Sequence, residues 1–447
     1  MKKIEMKKIE EINNLNEFIF VWYIFSFLAL APISKFFGIF CYRIFYVANV
    51  LILLILSAIK NKKIIMKKDI IMLVVLLGTG IIDFCFRRNP CMAEVYINFI
   101  QECYLTCYFF NRTSNIRTII KYISLFAKCI IVIYLCDPFF DYYLSSTYMA
   151  YGYNIMMLSL FSIYINYLIK KDVTDLVYLI IGTIGIIIYG NRACLLAIIF
   201  IIALTVKPFI KGLKKSIKRA TKNKYNVIKK VAKIIILFFI SFVVNYLLII
   251  KIPNMLKTEN IIETENIIET ENTLKDEDDK KEMSFSSYAL LKYEQVLNGN
   301  YGTIFSGRLE IYEEAINVIK DTYSTDILKA LFGNGTRYFS TLNEKELYPH
   351  SIIFDLLIDY GIIGTILFTG LFMYCLIRWI RNSKKEKYLF GVYLITLSFP
   401  RLLLGGCMDK TVYVLLFILF ITAKYPLKNN KIYNKKYLSR GKTDDMV

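Results

Sequence analysis

The sequence contains a single histidine, His350, in 447 residues, and its ten cysteines include no CxxC pair. Most of the cysteines lie inside apolar runs, so we interpret them as small buried residues and not as a disulfide framework or a metal site. No small-residue cleavage site follows the first apolar run, and we therefore expect that run to be retained as a membrane span.

Apolar residues dominate the rest of the chain, which is 56% hydrophobic with a mean hydropathy of +0.47. A helix crosses a bilayer with about 20 mainly apolar residues, because every backbone polar group must be paired internally there. Runs of that kind recur along nearly the whole sequence and predict an all-α, polytopic transmembrane helix bundle of about twelve spans. The predicted spans are 18–34, 38–59, 69–86, 92–110, 116–136, 153–169, 173–189, 193–206, 233–250, 351–377, 388–404 and 411–424.

The basic residues between the spans predict the orientation, because lysine and arginine gather on the cytoplasmic side of a membrane. The segment 207–233 holds eleven basic residues and no acidic one, and the other basic connections fall on the same side when the spans alternate. We therefore expect both termini in the cytoplasm. The net charge of +20 then reflects topology and contact with anionic membrane lipids, so nucleic acid is not an expected partner.

One connection on the opposite, extracytoplasmic face is long, covering residues 251–349. Its acidic repeat "TENIIETENIIETEN" at 258–272 predicts a solvated insert without chemistry. The segment 307–321 predicts an amphipathic helix on the membrane surface, and a glycine-rich turn follows at 331–339. The predicted apolar stripe of that helix consists of Leu309, Tyr312, Ile316 and Ile319.

These features predict four regions. They are an N-terminal membrane bundle of about nine spans at 1–250, the large extracytoplasmic loop at 251–349, C-terminal membrane helices at 350–425, and a basic cytoplasmic tail at 426–447.

Three polar side chains from separate parts of the chain are predicted to lie at the outer membrane interface. His350, in "YPHSIIF", precedes the tenth span, Arg308 opens the amphipathic helix, and Arg192 lies at the turn between spans seven and eight. Two guanidinium groups can grip a pyrophosphate through paired N–H donors, and an imidazole can exchange a proton near neutral pH. The alternatives are that the arginines reach to lipid headgroups and that His350 caps or packs at a helix start.

Four other polar residues are considered as members of this site. Asp83 is expected to pair within the bundle, whereas Asp355 and Asp359 lie one turn apart on the face opposite His350. Arg401 either joins the anion site or reaches to headgroups. No pair of outward-facing carboxylates has the spacing of a glycoside hydrolase, which speaks against glycan cleavage.

The segment 307–377 resembles the O-antigen ligase and O-antigen or capsular polysaccharide polymerase family. The matching features are Gly307-Arg308, the Gly333-Asn334-Gly335 turn, His350 at a helix entry, and the Gly361…Gly364 pair, with Asn191-Arg192 matching an earlier outer turn. The sequence departs from the family pattern at Tyr312, where a tryptophan is common, and in the acidic repeat.

The resemblance implies a GT-C-like membrane glycosyltransferase, without a metal or other cofactor, in the inner membrane of a bacterial cell. It would polymerise repeat units of O-antigen, capsule or exopolysaccharide from a donor such as undecaprenyl pyrophosphate-linked glycan onto a glycan acceptor. Arg192 and Arg308 would bind the pyrophosphate, and Arg308 and His350 would be catalytic, with His350 orienting or deprotonating the acceptor hydroxyl. A chain-length regulator and a flippase are the implied protein partners.

Two alternatives stay open. A ligase of the same family would use the same donor and transfer the glycan to a lipid or protein acceptor. A flippase or other transporter is the alternative from another class, although the sequence shows no repeated half and its polar candidates lie at the interface and not at mid-membrane.

Overall fold

A computed structural model describes residues 14–62, 64–86, 92–140, 143–145, 150–189, 192–222, 224–247, 308–342, 349, 351–383, 385–404 and 412–422. Every regular element within these ranges is helical, as the apolar runs predict.

The α-helices in chain order are α1 Leu15–Asn61, α2 Lys67–Phe86, α3 Met92–Asn98, α4 Leu105–Phe110, α5 Ile116–Tyr134, α6 Leu158–Lys170, α7 Val173–Tyr189, α8 Arg192–Leu204, α9 Val206–Lys222, α10 Lys224–Tyr246, α11 Arg308–Thr325, α12 Ile327–Phe332, α13 Tyr338–Leu342, α14 Ile352–Asn382, α15 Lys385–Leu404 and α16 Val412–Thr422. A π-helical segment, Phe99–Tyr104, joins α3 to α4, and another, Ala150–Met157, leads into α6.

The first helix is a hairpin of two legs. Its 47 residues would extend about 70 Å as one rod, more than twice the apolar thickness of a bilayer. The helical geometry is interrupted at Gly38, which has φ +85°. Asn16 then donates to the Asn61 side chain at 2.9 Å, and Trp22 donates to Asn49 at 2.8 Å, so the legs lie side by side. These legs correspond to the predicted spans 18–34 and 38–59.

Helical residues cover most of each predicted span. Three helices are long and apolar enough to cross a membrane, namely Leu15–Asn61, Ile116–Phe140 and Ile352–Asn382, and shorter apolar helices accompany them. Large apolar side chains are also exposed along α2 and α10, for example Phe84 and Phe239. The chain is therefore a membrane protein, and the count of twelve spans stays a prediction.

Contacts between helix ends fall into two sets, as alternating spans require. In one set, Glu17 accepts the N–H groups of Ser114 and Asn115 at 2.8 Å, and Arg112 pairs with Asp69 at 2.7 Å. All of these residues lie beside connections predicted to be cytoplasmic. We call this the basic end of the bundle.

The other set joins residues beside the connections predicted to be extracytoplasmic. Tyr134 donates to the Leu28 carbonyl at 2.8 Å, and the Thr336 hydroxyl donates to the Asp83 carboxylate. We call this the loop end, because Thr336 belongs to the large loop.

Candidate functional site

The predicted site residues lie at or beside helix starts. α8 begins at Arg192 and α11 begins at Arg308. His350 itself and the side chains of Arg192, Arg308 and Arg401 lie outside the described part of the chain. The N-cap of α14 is Ser351, the residue that follows His350. Helix N-termini carry partial positive charge, so α8, α11 and α14 each begin with a partial positive charge.

The loop helix α11 packs against the start of α14. The rings of Tyr312 and Phe354 meet edge to face with centroids 5.4 Å apart. Ala315, Phe339 and Ile358 form a buried cluster on the same contact, with exposures of 0%, 2% and 1%. α11 is thus held by protein contacts on this face.

The predicted apolar stripe of α11 is partly wrong. Tyr312 is partly buried and Ile319 packs on this cluster, as predicted, but Ile316 is 39% exposed and the neighbouring Ala315 is buried instead. The reason is that the partner of this face is another helix, and a small alanine lets two helices approach closely. The side chain of Leu309 lies outside the described residues.

The helix that covers the tenth predicted span, 351–377, contains a break that the apolar run does not signal. Gly361 has φ +64° and ψ −168°, so the geometry of α14 breaks there. A Cβ atom on Gly361 would lie 2.6 Å from the Gly333 nitrogen, and one on Gly333 would lie 2.2 Å from the Asp359 carbonyl oxygen. The two glycines therefore allow a backbone-to-backbone contact that no side chain would fit.

Hydrogen bonds seat the Gly333-Asn334-Gly335 turn on this break. The Asn334 N–H donates to the Ile358 carbonyl at 2.8 Å, and the Gly335 N–H donates to the Asp359 carbonyl at 3.0 Å. A break in a helix leaves carbonyls in the preceding turn available to outside donors. The N–H groups of Asn334 and Gly335 therefore bind the protein's own backbone.

Asp359 has a structural use. Its carboxylate accepts the N–H groups of Arg337 at 2.8 Å and of Tyr338, the first residue of α13, at 3.2 Å. Both bonds hold the residues that follow the glycine turn. Asp359 therefore links α14 to the start of α13.

Asp83 pairs across two regions of the molecule. Within the bundle, Tyr96 of α3 donates to its carboxylate at 3.0 Å. From the loop, the Thr336 hydroxyl donates to the same oxygen and lies 3.1 Å from the Tyr360 hydroxyl. The prediction of pairing within the bundle is confirmed for Tyr96, and the loop contact is an addition that local sequence does not signal.

Arg192 lies on a separate helix pair. α8 packs along α15, and Tyr388 near the start of α15 donates to the carbonyl of Leu204 at the end of α8, at 3.4 Å. The two helices therefore run antiparallel. Arg192 is twelve residues before Leu204 and Arg401 is thirteen after Tyr388, so both lie at the other end of this pair. No described side-chain contact tests whether Arg192 and Arg308 act together.

Comparison with known families gives one match. Residues 177–369 match the model of a family described as O-antigen ligase, a range that includes Arg192, Arg308, His350 and both glycine motifs. No curated protein matches the chain at a significant level. The resemblance stated above is confirmed over this range, and glycan transfer of the ligase or polymerase type is what the family implies.

Proposed function

We propose that this membrane protein, through the O-antigen ligase family region at 177–369, polymerises lipid-linked oligosaccharide repeat units. The donor is a glycan on a polyprenyl pyrophosphate, the acceptor is a sugar hydroxyl, and the reaction takes place at the outer face of the bacterial inner membrane. The loop end of the bundle faces outward in this proposal, with both termini in the cytoplasm.

The observation that carries the proposal is the packing of α11 on the start of α14. Arg308 precedes Tyr312 by four residues, and His350 precedes Phe354 by four residues. Arg308 is about one helical turn before Tyr312, and His350 comes directly before Ser351, the extended N-cap residue of α14. Because Tyr312 and Phe354 are in contact, the proposal places Arg308 and His350 together beyond that contact, at the loop end.

Arginine side chains suit the leaving group. The C–O bond between the anomeric carbon and the pyrophosphate breaks, and negative charge gathers on the departing lipid pyrophosphate. Arg308 and Arg192 would stabilise that charge through planar, paired N–H donors, with no metal needed. Arg401 shares an end of the α8–α15 pair with Arg192, which supports its assignment to the same anion site.

His350 would handle the acceptor. The acceptor oxygen attacks the anomeric carbon, and its proton passes to the neutral imidazole, which later returns it to solvent. Such a base contributes roughly two to four orders of magnitude in rate. If His350 only orients the acceptor, the arginines carry the remaining chemistry.

We prefer polymerisation to ligation because of the amino-acid composition of the sequence. The Ile-, Lys-, Asn- and Tyr-rich sequence suggests an AT-rich genome, in which surface-polysaccharide polymerases are common and divergent. A ligase would use the same donor-binding residues and differ in its acceptor. A flippase would supply the donor to the outer face, and a chain-length regulator would set polymer length.

The test is synthesis by the purified protein in liposomes. Given lipid-linked repeat units alone, a polymerase yields a ladder of products that stay on the polyprenyl lipid, whereas a ligase yields new product when a separate lipid or protein acceptor is added. No product in either case would contradict the proposal.

Comparing Arg308→Lys with Arg308→Ala tests the anion site in the same assay. An ammonium group cannot reproduce the planar paired donors, so both variants should lose most activity. Arg381→Ala, which removes an exposed arginine at the far end of α14, is the control and should keep it. Full activity of Arg308→Lys would indicate that Arg308 only reaches to headgroups.

A further inference from the structure

We infer that Asp83 and Thr336 are positioning residues for glycosyl transfer, and that their hydrogen bond holds the loop elements carrying the proposed site against the membrane helices. This inference rests on the proposed function, and it assigns a role to two residues that contribute no group to the reaction. We call the hydrogen-bonded set Asp83, Tyr96, Thr336 and Tyr360 the polar clasp.

The polar clasp connects elements that are far apart in sequence. Asp83 is in the last turn of α2, Tyr96 is in α3, Thr336 follows the glycine turn of the loop, and Tyr360 adjoins the break in α14. Asp83 and Thr336 are each 3% exposed. A hydrogen bond from a hydroxyl to a carboxylate at a site with so little water is among the stronger neutral-to-ionic contacts in proteins.

The position of Thr336 explains how the clasp would act on the site. One residue before it, Gly335 bonds to the Asp359 carbonyl, and one residue after it, the Arg337 N–H bonds to the Asp359 carboxylate. Thr336 therefore joins α2 and α3 to a turn that is fixed on both sides to α14. Through the cluster of Ala315, Phe339 and Ile358, the same turn is fixed to α11.

α11 begins at Arg308 and α14 begins two residues after His350. Ile352 and Leu356 at the start of α14 also pack on Val414 of α16, and the clasp adds a polar connection from the loop elements to α2 and α3. A misplacement of about 1 Å in a reacting group can lower a rate roughly a hundredfold. Losing the clasp should therefore lower kcat while the KM for the donor changes little.

The first experiment removes the hydroxyl while keeping the shape. Thr336→Val should lower kcat by about 10- to 100-fold per folded molecule, with a donor KM close to that of the wild type. Thr336→Ser keeps the hydroxyl and should restore most of the rate. Thr341→Val is the matched control, because Thr341 is exposed on the same segment and its hydroxyl bonds to the nearby Tyr338 carbonyl.

A second variant, together with a count of folded protein, separates a loss of activity from a folding defect. Asp83→Asn keeps an acceptor for Thr336 but removes the charge, and it should give a smaller loss of kcat than Thr336→Val. Folded protein is counted by its thermal unfolding in detergent. A lower yield of folded protein with an unchanged kcat would show a purely structural role and overturn the inference.

A distance measurement tests the clasp without using activity. Spin labels at Ser324→Cys on α11 and Ile97→Cys on α3, both exposed positions, are placed in the full-length chain without native thiols. One narrow distance distribution is expected for the wild-type clasp and a broader one for Thr336→Val, with Thr336→Ser again narrow. An unchanged distribution for Thr336→Val would overturn the inference.

The rate measurement and the distance measurement together distinguish failure of the proposed function from failure of the positioning role. If the wild type makes no glycan product, the proposed function fails and the positioning role fails with it, whereas the distances still report whether the clasp holds the loop. If the wild type is active and Thr336→Val broadens the distances without lowering kcat, the proposed function stands and the positioning role is contradicted.

Discussion

Among the described residues, a buried ion pair joins helices at the basic end of the bundle, whereas the buried polar contacts at the loop end are made by backbone groups, hydroxyls and single carboxylates. Arg112 pairs with Asp69 at 2.7 Å, with side-chain exposures of 1% and 0%. Its guanidinium also bonds to the carbonyls of Tyr108 and Ile64, both at 2.7 Å, and lies 3.4 Å from the centre of the Tyr108 ring. These contacts give the buried guanidinium a structural role.

At the loop end, the contacts join loop segments to membrane helices through hydrogen bonds and close backbone packing. Two glycines bring backbones together, Asp359 accepts two N–H groups, and Asp83 accepts two hydroxyls. These contacts join the glycine turn to α14 and to α2, and the proposal assigns Arg308 to the substrate. A buried ion pair thus has a structural role at the basic end, whereas at the loop end the functional candidates are the polar residues at helix starts.

The largest expected effect on stability is at the basic end. Arg112→Ala leaves the buried Asp69 carboxylate without its cation and should cost about 3–5 kcal/mol of unfolding free energy. The control is Arg117→Ala, because the Arg117–Glu386 pair is exposed, with Arg117 at 69%, and should be worth about 0–1 kcal/mol. Unfolding in detergent measures both. Equal losses in the two variants would remove the contrast between buried and exposed pairs.

The next effect is at the loop end. Gly333→Ala or Gly361→Ala places a Cβ against backbone atoms in a left-handed conformation, and the strain should cost about 1–3 kcal/mol and reduce polymer synthesis. Gly370→Ala, further along α14, meets nothing within 4 Å and should be neutral or slightly stabilising. The unfolding midpoint and product yield of the three variants are compared. A Gly333→Ala variant that matches Gly370→Ala would show that the turn does not sit on the break.

Labelling tests whether the two ends lie on opposite sides of the membrane. Single cysteines at Thr264 and Asn343, in a chain without native thiols, should react with an impermeant reagent added outside intact cells. One at Thr221 should react after the cells are opened. Reaction of Thr221 from outside would reverse the orientation and remove the proposed site from the outer face.

The smallest effect is expected from the acidic repeat. Deleting 258–270 removes no predicted helix face, so inserted protein should still make polymer of normal length. Immunoblotting of the membrane fraction confirms insertion, and gel analysis of the glycan gives chain length. Loss of polymer with normal insertion would assign the repeat a function.

The helices could be predicted from the sequence, because about 20 apolar residues in a row leave few other structures possible in a bilayer. The turn in α1 was predictable as well, since an apolar stretch of that length with a glycine in the middle exceeds one crossing. The loop helix α11 was predicted as well. The residue at the centre of its packed face, Ala315, was not predicted, because alanine contributes little to a hydrophobic pattern.

The long-range contacts were not predictable in this way. The break at Gly361 lies within an apolar run, and the need for glycine there comes from Gly333, which is distant in sequence. Asp83 and Thr336 are 253 residues apart, and no local pattern connects them. The same holds for Asp69 and Arg112, whose pairing depends on how the turn after α4 meets the start of α2.

The most direct measurement of the proposed chemistry is turnover of purified lipid-linked repeat units by the wild type, His350→Asn and His350→Gln, with pH varied from about 5.5 to 8.5. If His350 takes the proton of the acceptor, both variants should lose roughly two to four orders of magnitude in rate while donor binding survives. Wild-type activity should fall on the acid side, because the base must be neutral to accept a proton. Full activity in both variants would contradict a proton-transfer role for the single histidine.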